Sequence, residues 1–253
     1  MVNPEIEFYA DPNVWSVVIA ILALALSQLP PLHKLFRKGK LELDVYEKGS
    51  VTHMLGNPNM QLHLILNNVG GKTVTIKSIR ATLELDGQVI SDIKGQNYIK
   101  NADNNGQVIL TKFKLKSGEE WAHTANFFNN FSKTDEKQCK SIIKRVRDSI
   151  LEQYKLKNET PKELIETTPE LIEEMNKFFA KNFKWETGEY KLVISVESER
   201  QEQNIAKEFR FTLFESDSDE LKEYATKYRY GEGIYYSSKN DLGVLVRLSE
   251  KNS

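Results

Sequence analysis

The sequence predicts a mainly β protein with a helical insertion, in which an antiparallel β-sandwich follows one transmembrane helix near the N-terminus. Three patterns predict this: an uncharged apolar run over 14–32, period-two alternation of apolar side chains from Leu41 onward, and helical spacing of apolar residues between 132 and 183. The 253 residues, 40% of them hydrophobic and 28% charged, suffice to build a substantial core.

Charge and cysteine content exclude some classes of protein. The formal net charge of -1 provides no global field that would recruit nucleic acid, so we expect no nucleic-acid partner. Cys139 is the single cysteine, which excludes an intrachain disulfide and fits a cytosolic location.

The apolar run reads VWSVVIAILALALSQLPPL and carries no charge. A helix over 14–32 would be about 28 Å long, close to the hydrocarbon thickness of a bilayer. A cleaved signal peptide should have basic residues before the run, whereas Glu5, Glu7 and Asp11 precede it. A core helix should show a polar face, and none lies between Val17 and Leu26. We therefore predict a membrane span that includes Val14, Trp15, Leu22, Leu26 and Leu29.

The residues that flank this run predict its orientation. Basic residues beside a span stay on the cytoplasmic side, and the segment 33–40 contains Lys34, Arg37, Lys38 and Lys40. We therefore expect residues 1–13 outside, the domain in the cytoplasm, and a single-pass protein of the cell membrane. The four basic residues would either bind anionic lipid headgroups or only fix the topology, and both interpretations stay open.

One face of the apolar run consists of small residues. These residues, spaced four, three and four apart, are Ser16, Ala20, Ala23 and Ser27. Small side chains allow helices to approach closely, so this face is a candidate helix–helix seam for a homo-oligomer.

Residues 41–214 form the predicted β domain, with its helical insertion at about 132–183. Strands are indicated by alternation, by β-branched residues and by turn dipeptides such as Asp86-Gly87. In the insertion, Thr160-Pro161 and Thr168-Pro169 have the pattern of helix starts. Residues 215–253 should add a C-terminal helix and a short strand that pack on the domain.

Two turn segments point to a particular kind of sandwich. The stretch Trp185-Glu186-Thr187-Gly188-Glu189-Tyr190-Lys191-Leu192 resembles the entry to a late strand of immunoglobulin-like modules, where a tyrosine after a turn braces the corner. Leu66-Asn67-Asn68-Val69-Gly70, followed by Val74-Thr75-Ile76, resembles a turn between early strands of bacterial adhesion-type sandwiches. The resemblance implies an immunoglobulin-like fold without the antibody-type cysteine pair.

A search for catalytic and metal-binding patterns finds no constellation. The four histidines lack a second ligand at metal spacing, and Gly70-Gly71-Lys72-Thr73 lacks the earlier glycine and the following helix of a phosphate-binding loop. Cys139 lies beside Lys137 and Lys140, which could lower its pKa, but no nucleophile signature surrounds it. We therefore predict no enzyme, no metal site and no cofactor.

A basic stripe on the helical insertion is the most suggestive surface. Its members, spaced three, four and three apart, are Lys137, Lys140, Lys144 and Arg147. The stripe would contact anionic lipid or nucleic acid, or it would be neutralised by the acidic segment that follows it between 159 and 174.

These patterns together predict a membrane-anchored, non-enzymatic interaction module. Its cytosolic sandwich would bind a protein partner or self-assemble at the inner membrane. The first alternative is a membrane-tethered sensor or effector, in which ligand binding changes the assembly of the transmembrane helices. A membrane-bound enzyme with a site formed only in space, and an extracytoplasmic adhesion-type sandwich, are the remaining alternatives.

Overall fold

The computed structural model describes residues 12–28, 38–100, 106–156, 164–236 and 243–251. The described part of the chain is mainly antiparallel β, with 44% of its residues in strands. Its helices are α1 (Pro12–Gln28), α2 (Lys133–Leu156), α3 (Pro169–Asn182) and α4 (Glu215–Thr226). Its strands are β1 (Leu41–Met54), β2 (Asn57–Asn68), β3 (Val74–Leu85), β4 (Gln88–Ile99), β5 (Gln107–Ile109), β6 (Phe113–Leu115), β7 (Glu120–Phe128), β8 (Gly188–Ser198), β9 (Ile205–Leu213), β10 (Val244–Arg247) and β11 (Ser249–Glu250).

All eleven strands belong to one hydrogen-bonded sheet, with the order β10-β1-β2-β7-β4-β3-β8-β9-β11 and with β5 and β6 attached to β4 and β3. Strand β4 makes the sheet continuous, because its first half pairs with β3 and its second half pairs with β7. The register with β7 shifts between Gly95 and Asn97. Such an irregularity bends a strand, so the sheet curls around its own interior.

The C-terminal segment brings the two edges of the sheet together. Strand β10 pairs with β1 at one edge, and β11, two residues later, pairs with β9 at the other. The Lys207 ammonium on β9 also lies 3.0 Å from the Asp44 carboxylate on β1. The result is a nearly closed, barrel-like sheet.

Local sequence explains the two-residue turn between β3 and β4. Asp86 and Gly87 join β3 to β4 with positive φ at both positions, 51° and 79°. Asp and Gly tolerate this left-handed conformation, and the resulting turn matches the twist of the flanking strands. The hairpin predicted at this dipeptide is confirmed.

The interior contains two apolar clusters. The sheet core is enclosed by the strands and includes Leu43, Leu62, Leu64, Ile79, Leu83, Phe127, Trp185, Tyr190, Leu192, Ile194 and Phe211. The cap core lies under α2, α3, α4 and the 3-10 turn Lys227–Tyr230 that follows α4. Its buried residues are Leu55, Cys139, Ile142, Val146, Ile150, Ile165, Leu171, Met175, Phe178, Ala225, Tyr228 and Ile234.

The predicted immunoglobulin-like β-sandwich is wrong. A sandwich has two separate sheets, whereas β4 joins both halves here into one sheet. Period-two alternation could not reveal this, because strands in either architecture have one buried face. Tyr190 nevertheless braces its corner: its hydroxyl donates to the Glu186 carbonyl at 2.7 Å and lies 3.0 Å from the Lys184 carbonyl.

The predicted transmembrane helix over 14–32 is also wrong. Within the described ranges, no helix has both the length and the apolar character that a membrane crossing needs. Helix α1 has 17 residues and is therefore about 26 Å long, against about 30 Å for a hydrocarbon core. The single-pass cell-membrane location and the cytoplasmic orientation depended on this helix and are corrected with it.

Some residues of that prediction can be placed and others cannot. Val14, Trp15, Leu22 and Leu26 lie on α1. Leu29, Lys34 and Arg37 lie outside the described residues, as does the helix start predicted at Thr160-Pro161. The start predicted at Thr168-Pro169 is confirmed, with Thr168 as the N-cap residue of α3, although its side chain makes no capping hydrogen bond.

Candidate binding groove

An open apolar groove lies between α2 and the end of the sheet where β1, β2 and β7 meet. Its volume is about 490 Å³. Half-buried apolar side chains form its walls, namely Met54, Phe128, Phe131 and Ile143. The other lining residues are Asn57, Asn59, Asn129, Asn130, Glu136, Cys139 and Lys140.

The turn between β1 and β2 positions one wall of the groove. Leu55 and Gly56 both have positive φ, at 49° and 85°, and the Leu55 side chain is fully buried in the cap core. A Cβ at Gly56 would lie 2.5 Å from the Phe179 carbonyl oxygen, so only glycine fits this close approach. The Tyr228 hydroxyl accepts the Leu55 backbone N–H at 3.0 Å. The turn is thereby fixed to the cap, with Met54 and Asn57 beside the groove.

Helix α2 forms the opposite wall. It begins after Ser132, whose hydroxyl accepts the Asp135 backbone N–H at 3.1 Å. Its buried residues, spaced three and four apart from Cys139 onward, face the cap core. Glu136, Lys140 and Ile143, also spaced four and three apart, lie on the neighbouring face and line the groove.

Asparagine amides hold the rim in place. The Asn57 amide donates to the Asn129 carbonyl at 2.8 Å, and the Asn129 amide donates to the Ser91 hydroxyl at 2.9 Å. These bonds join the β1–β2 turn, the end of β7 and strand β4. The rim therefore presents neutral polar groups around the apolar walls.

The charges at the groove cancel. Glu136 and Lys140, one turn apart on α2, form an ion pair, and the hydrogen bond from Lys140 to Glu136 is the main cause that raises the pKa of the lysine. Burial raises the pKa of the Cys139 thiol to about 11, against a smaller opposing effect of Lys140. Cys139 is therefore a neutral thiol at physiological pH, and the neighbouring lysine does not activate it.

The predicted basic stripe lies along α2 but does not bind α3. Lys140 pairs with Glu136, and Arg147 pairs with Asp148, both within α2. Lys137 and Lys144 are exposed on the same helix. No finding tests whether the stripe contacts lipid or nucleic acid.

Other residues make the ion pairs between the two helices. The Arg145 guanidinium lies 2.6 Å from both carboxylate oxygens of Glu174, and Lys181 lies 2.5 Å from Asp135. The base lies on α2 in the first pair and on α3 in the second, and neither pair includes a residue of the stripe. Neutralisation of the stripe by the acidic segment therefore stays a prediction.

The predicted seam lies on α1. The Ser16 hydroxyl donates to the Pro12 carbonyl at 2.9 Å, and the Ser27 hydroxyl donates to the Leu24 carbonyl at 2.7 Å. Ala20 and Ala23 lie between them on the same face. Of the predicted headgroup contacts, Lys38 and Lys40 are described, and Lys40 lies 3.5 Å from the Glu42 carboxylate.

Sequence reasoning missed the role of His53, which is 3% exposed where the two cores meet. Its Nε2 donates to the Leu221 carbonyl at 2.7 Å, and its Nδ1 accepts the Tyr228 hydroxyl at 2.8 Å. Burial lowers its pKa to about 4, outweighing the bond to Leu221, so the ring is neutral at pH 7. A signal existed, because alternation along β1 places His53 on the buried face with Val51.

No metal site emerges from these contacts: within the described ranges, no three His, Cys, Asp or Glu side chains lie close enough to hold an ion. His63 instead lies 3.2 Å from the Thr124 hydroxyl, and His123 packs among the rings of Tyr98 and Trp121.

Comparisons with known proteins add no identity. No family model and no curated protein matches the chain. Among solved structures, a protein from Archaeoglobus fulgidus is similar at 9% identity, with 70% of this chain and 97% of that chain covered and a TM-score of 0.28. At that TM-score the likeness carries no argument about fold or function.

Proposed function

We propose that the protein is a non-enzymatic interaction module whose groove binds a short, uncharged, apolar segment of a protein partner. The observation that carries this proposal is the composition of the groove: four half-buried apolar walls, a rim of asparagine amides, and one acid and one base that neutralise each other. A volume of about 490 Å³ is in the range of sites that enclose a few side chains.

A helical or extended peptide suits this composition. Grooves that bind helices take two or three apolar side chains from one helix face. Met54 adds an adaptable wall, since methionine is unbranched and changes rotamer easily. The asparagine amides at the rim supply donors and acceptors for a peptide backbone.

The cysteine that lines the groove is not poised to act as a nucleophile. A thiol nucleophile needs a pKa close to the working pH, whereas burial raises the pKa of Cys139 to about 11, so the thiol stays neutral. The proposal includes no membrane anchor, because no described helix could cross a membrane, and the sensor or effector alternative depended on such helices.

Selection from a random peptide library tests the proposal. The full chain is immobilised at low density so that copies do not meet, and the selected peptides are measured against wild type, Ile143→Glu and Val89→Glu. We expect peptides with two or three apolar residues and no charge. Their affinity should fall at least about tenfold for Ile143→Glu, because this substitution places a charge in an apolar wall of the groove.

Val89→Glu is the matched control, since Val89 is 62% exposed and lies outside the groove lining. It should bind the peptides like wild type. Selection of mainly charged peptides, or equal binding to Ile143→Glu and wild type, would contradict the proposal.

A further inference from the structure

Helix α1 exposes an apolar surface that water solvates poorly. It carries no charged residue, and the exposed fractions of its large side chains reach 61% at Ile21, 56% at Leu22 and 66% at Leu24. A helix that is apolar all round is normally buried, because most of the stability of a helix in a protein comes from packing of its apolar face. Another surface must therefore cover α1.

The two faces of α1 differ in shape. The small-residue face is the predicted seam of Ser16, Ala20, Ala23 and Ser27. The opposite face, which we call the large-residue face, consists of Val14, Val18, Ile21, Leu22 and Ala25, and all but the last of these have large side chains. A concave groove is filled by side chains that protrude, so the large-residue face is the one that suits it.

We infer that the large-residue face of α1 from a second copy of this chain occupies the groove. This inference rests on the proposed function and names the partner segment. The charges match, because α1 has none and the Glu136–Lys140 pair leaves the groove lining without net charge. Val18 and Leu22 are one turn apart, about 6 Å along the axis, so both can enter the groove between Met54 and Ile143.

Chain length favours a second copy over the same chain. The groove lies at the Met54 end of β1, and Leu41 lies at the other end, about 40 Å away along a strand of 14 residues. The 13 residues from Gln28 to Leu41 span at most about 45 Å. The helical residues between Leu22 and Gln28 add about 9 Å, so docking within one chain would need about three quarters of the total reach, whereas a second copy has no such constraint.

A reciprocal exchange of α1 between two copies covers both helices and fills both grooves. Each chain donates its α1 and receives that of its partner, which gives a closed two-fold dimer. Both α1 helices and both grooves are then occupied, and no free groove remains to extend the assembly.

Disulfide trapping between two differently tagged chains tests the contact directly. In a Cys139→Ala background, one chain carries Lys140→Cys at the groove and the other carries Leu22→Cys on α1. We expect a mixed-tag disulfide dimer under mild oxidation. The matched control replaces Leu22→Cys by Ala20→Cys on the opposite face and should give at least about tenfold less product.

Equal trapping from Ala20→Cys, or no mixed-tag product, would overturn the inference. A chain that carries both Lys140→Cys and Leu22→Cys gives a further test. If its disulfide forms within one chain more readily than between chains, α1 docks in its own groove and the inference is overturned.

Sedimentation velocity of the full chain provides the second arm. We expect a dimer for wild type, Ala20→Glu and Val89→Glu, and a monomer for Leu22→Glu and Ile143→Glu. Loss of the dimer in Ala20→Glu but not in Leu22→Glu would indicate pairing through the seam and overturn the inference. A monomer that floats with phosphatidylcholine vesicles would also overturn it, because lipid would then cover α1.

The two proposals fail separately. If selected peptides bind the groove while trapping and sedimentation show no exchange, the interaction module stands and this inference falls. If Ile143→Glu leaves peptide binding unchanged, the groove is not the binding site and both fall.

Discussion

The sheet core and the cap core are both buried, but different interactions hold them. The sheet core is almost entirely aliphatic and aromatic, with Leu43, Leu62, Leu64 and Ile79 fully buried. The cap core adjoins a buried polar network of His53, Tyr228 and the backbone of Leu55 and Leu221. Stability in the first region should therefore depend mainly on packing and little on pH, whereas stability in the second should also depend on pH.

The two cores differ in polarity because they are enclosed by different kinds of backbone. Strands satisfy their own backbone groups, so apolar side chains suffice inside the curled sheet. The cap must cover the β1–β2 turn, whose Leu55 N–H has no strand partner and is accepted by the Tyr228 hydroxyl. His53 in turn accepts that hydroxyl, which fixes the orientation of the ring. The polar network thus joins the helices to the sheet beside the candidate groove.

The largest expected effect is the loss of a side chain from the sheet core. Trp185 is fully buried, and its indole N–H donates to the Thr52 carbonyl at 2.7 Å. Trp185→Ala should lower the free energy of unfolding by about 4 kcal/mol, because it leaves a large cavity and an unpaired acceptor. Urea unfolding followed by far-ultraviolet circular dichroism measures this loss.

The matched control is Leu245→Ala on β10, where the side chain is 70% exposed. This variant should change the free energy of unfolding by less than about 0.5 kcal/mol. Similar losses in the two variants would mean that the sheet interior does not provide the main packing energy.

A pH-dependent change of intermediate size in the free energy of unfolding should distinguish the cap core from the sheet core. Burial lowers the pKa of folded His53 from 6.5 to about 4, so between these values the unfolded state binds the extra proton. The contribution of neutral His53 to the free energy of unfolding is therefore fully present above pH 6.5 and is lost as the pH falls towards 4. From about pH 7 to about pH 4.5, wild type should lose about 2 kcal/mol more than His53→Gln, which lacks the titrating ring.

Leu245→Ala is the control for this measurement, because it removes an exposed apolar side chain and no titratable group. It should retain the wild-type pH dependence of the unfolding free energy. A His53→Gln protein with the same pH dependence as wild type would show that the network does not distinguish the cap from the sheet core.

Local parts of the fold could be predicted from sequence, because short-range chemistry determines them. Asp86-Gly87 requires a turn with positive φ, and Thr168-Pro169 has the residues of a helix start. The continuity of the sheet could not be predicted, because it depends on which strands β4 pairs with on either side of Gly95.

The groove was not predictable for a related reason. Its walls come from the β1–β2 turn, β7, the start of α2 and the residues between them, and no single stretch of sequence contains the pattern. His53 was within reach, since its position in the alternation of β1 marks it as buried. A buried histidine needs hydrogen-bond partners, but sequence alone could not identify Tyr228 or Leu221, which lie more than 160 residues away.

The smallest expected effect concerns the ion pair between α2 and α3. Arg145 and Glu174 meet at 2.6 Å, but their side chains are 46% and 32% exposed, so water and salt screen the pair. Glu174→Gln should lower the free energy of unfolding by about 0.5 kcal/mol at low salt and by less in about 1 M sodium chloride. Glu152→Gln, at an exposed carboxylate on α2 outside this pair, is the control and should change it less. If Glu174→Gln lowered the free energy of unfolding by about 2 kcal/mol regardless of salt, the surface ion pair would be a main source of the stability of the cap. The expected small decrease instead means that the apolar cap core and its buried polar network stabilise the cap.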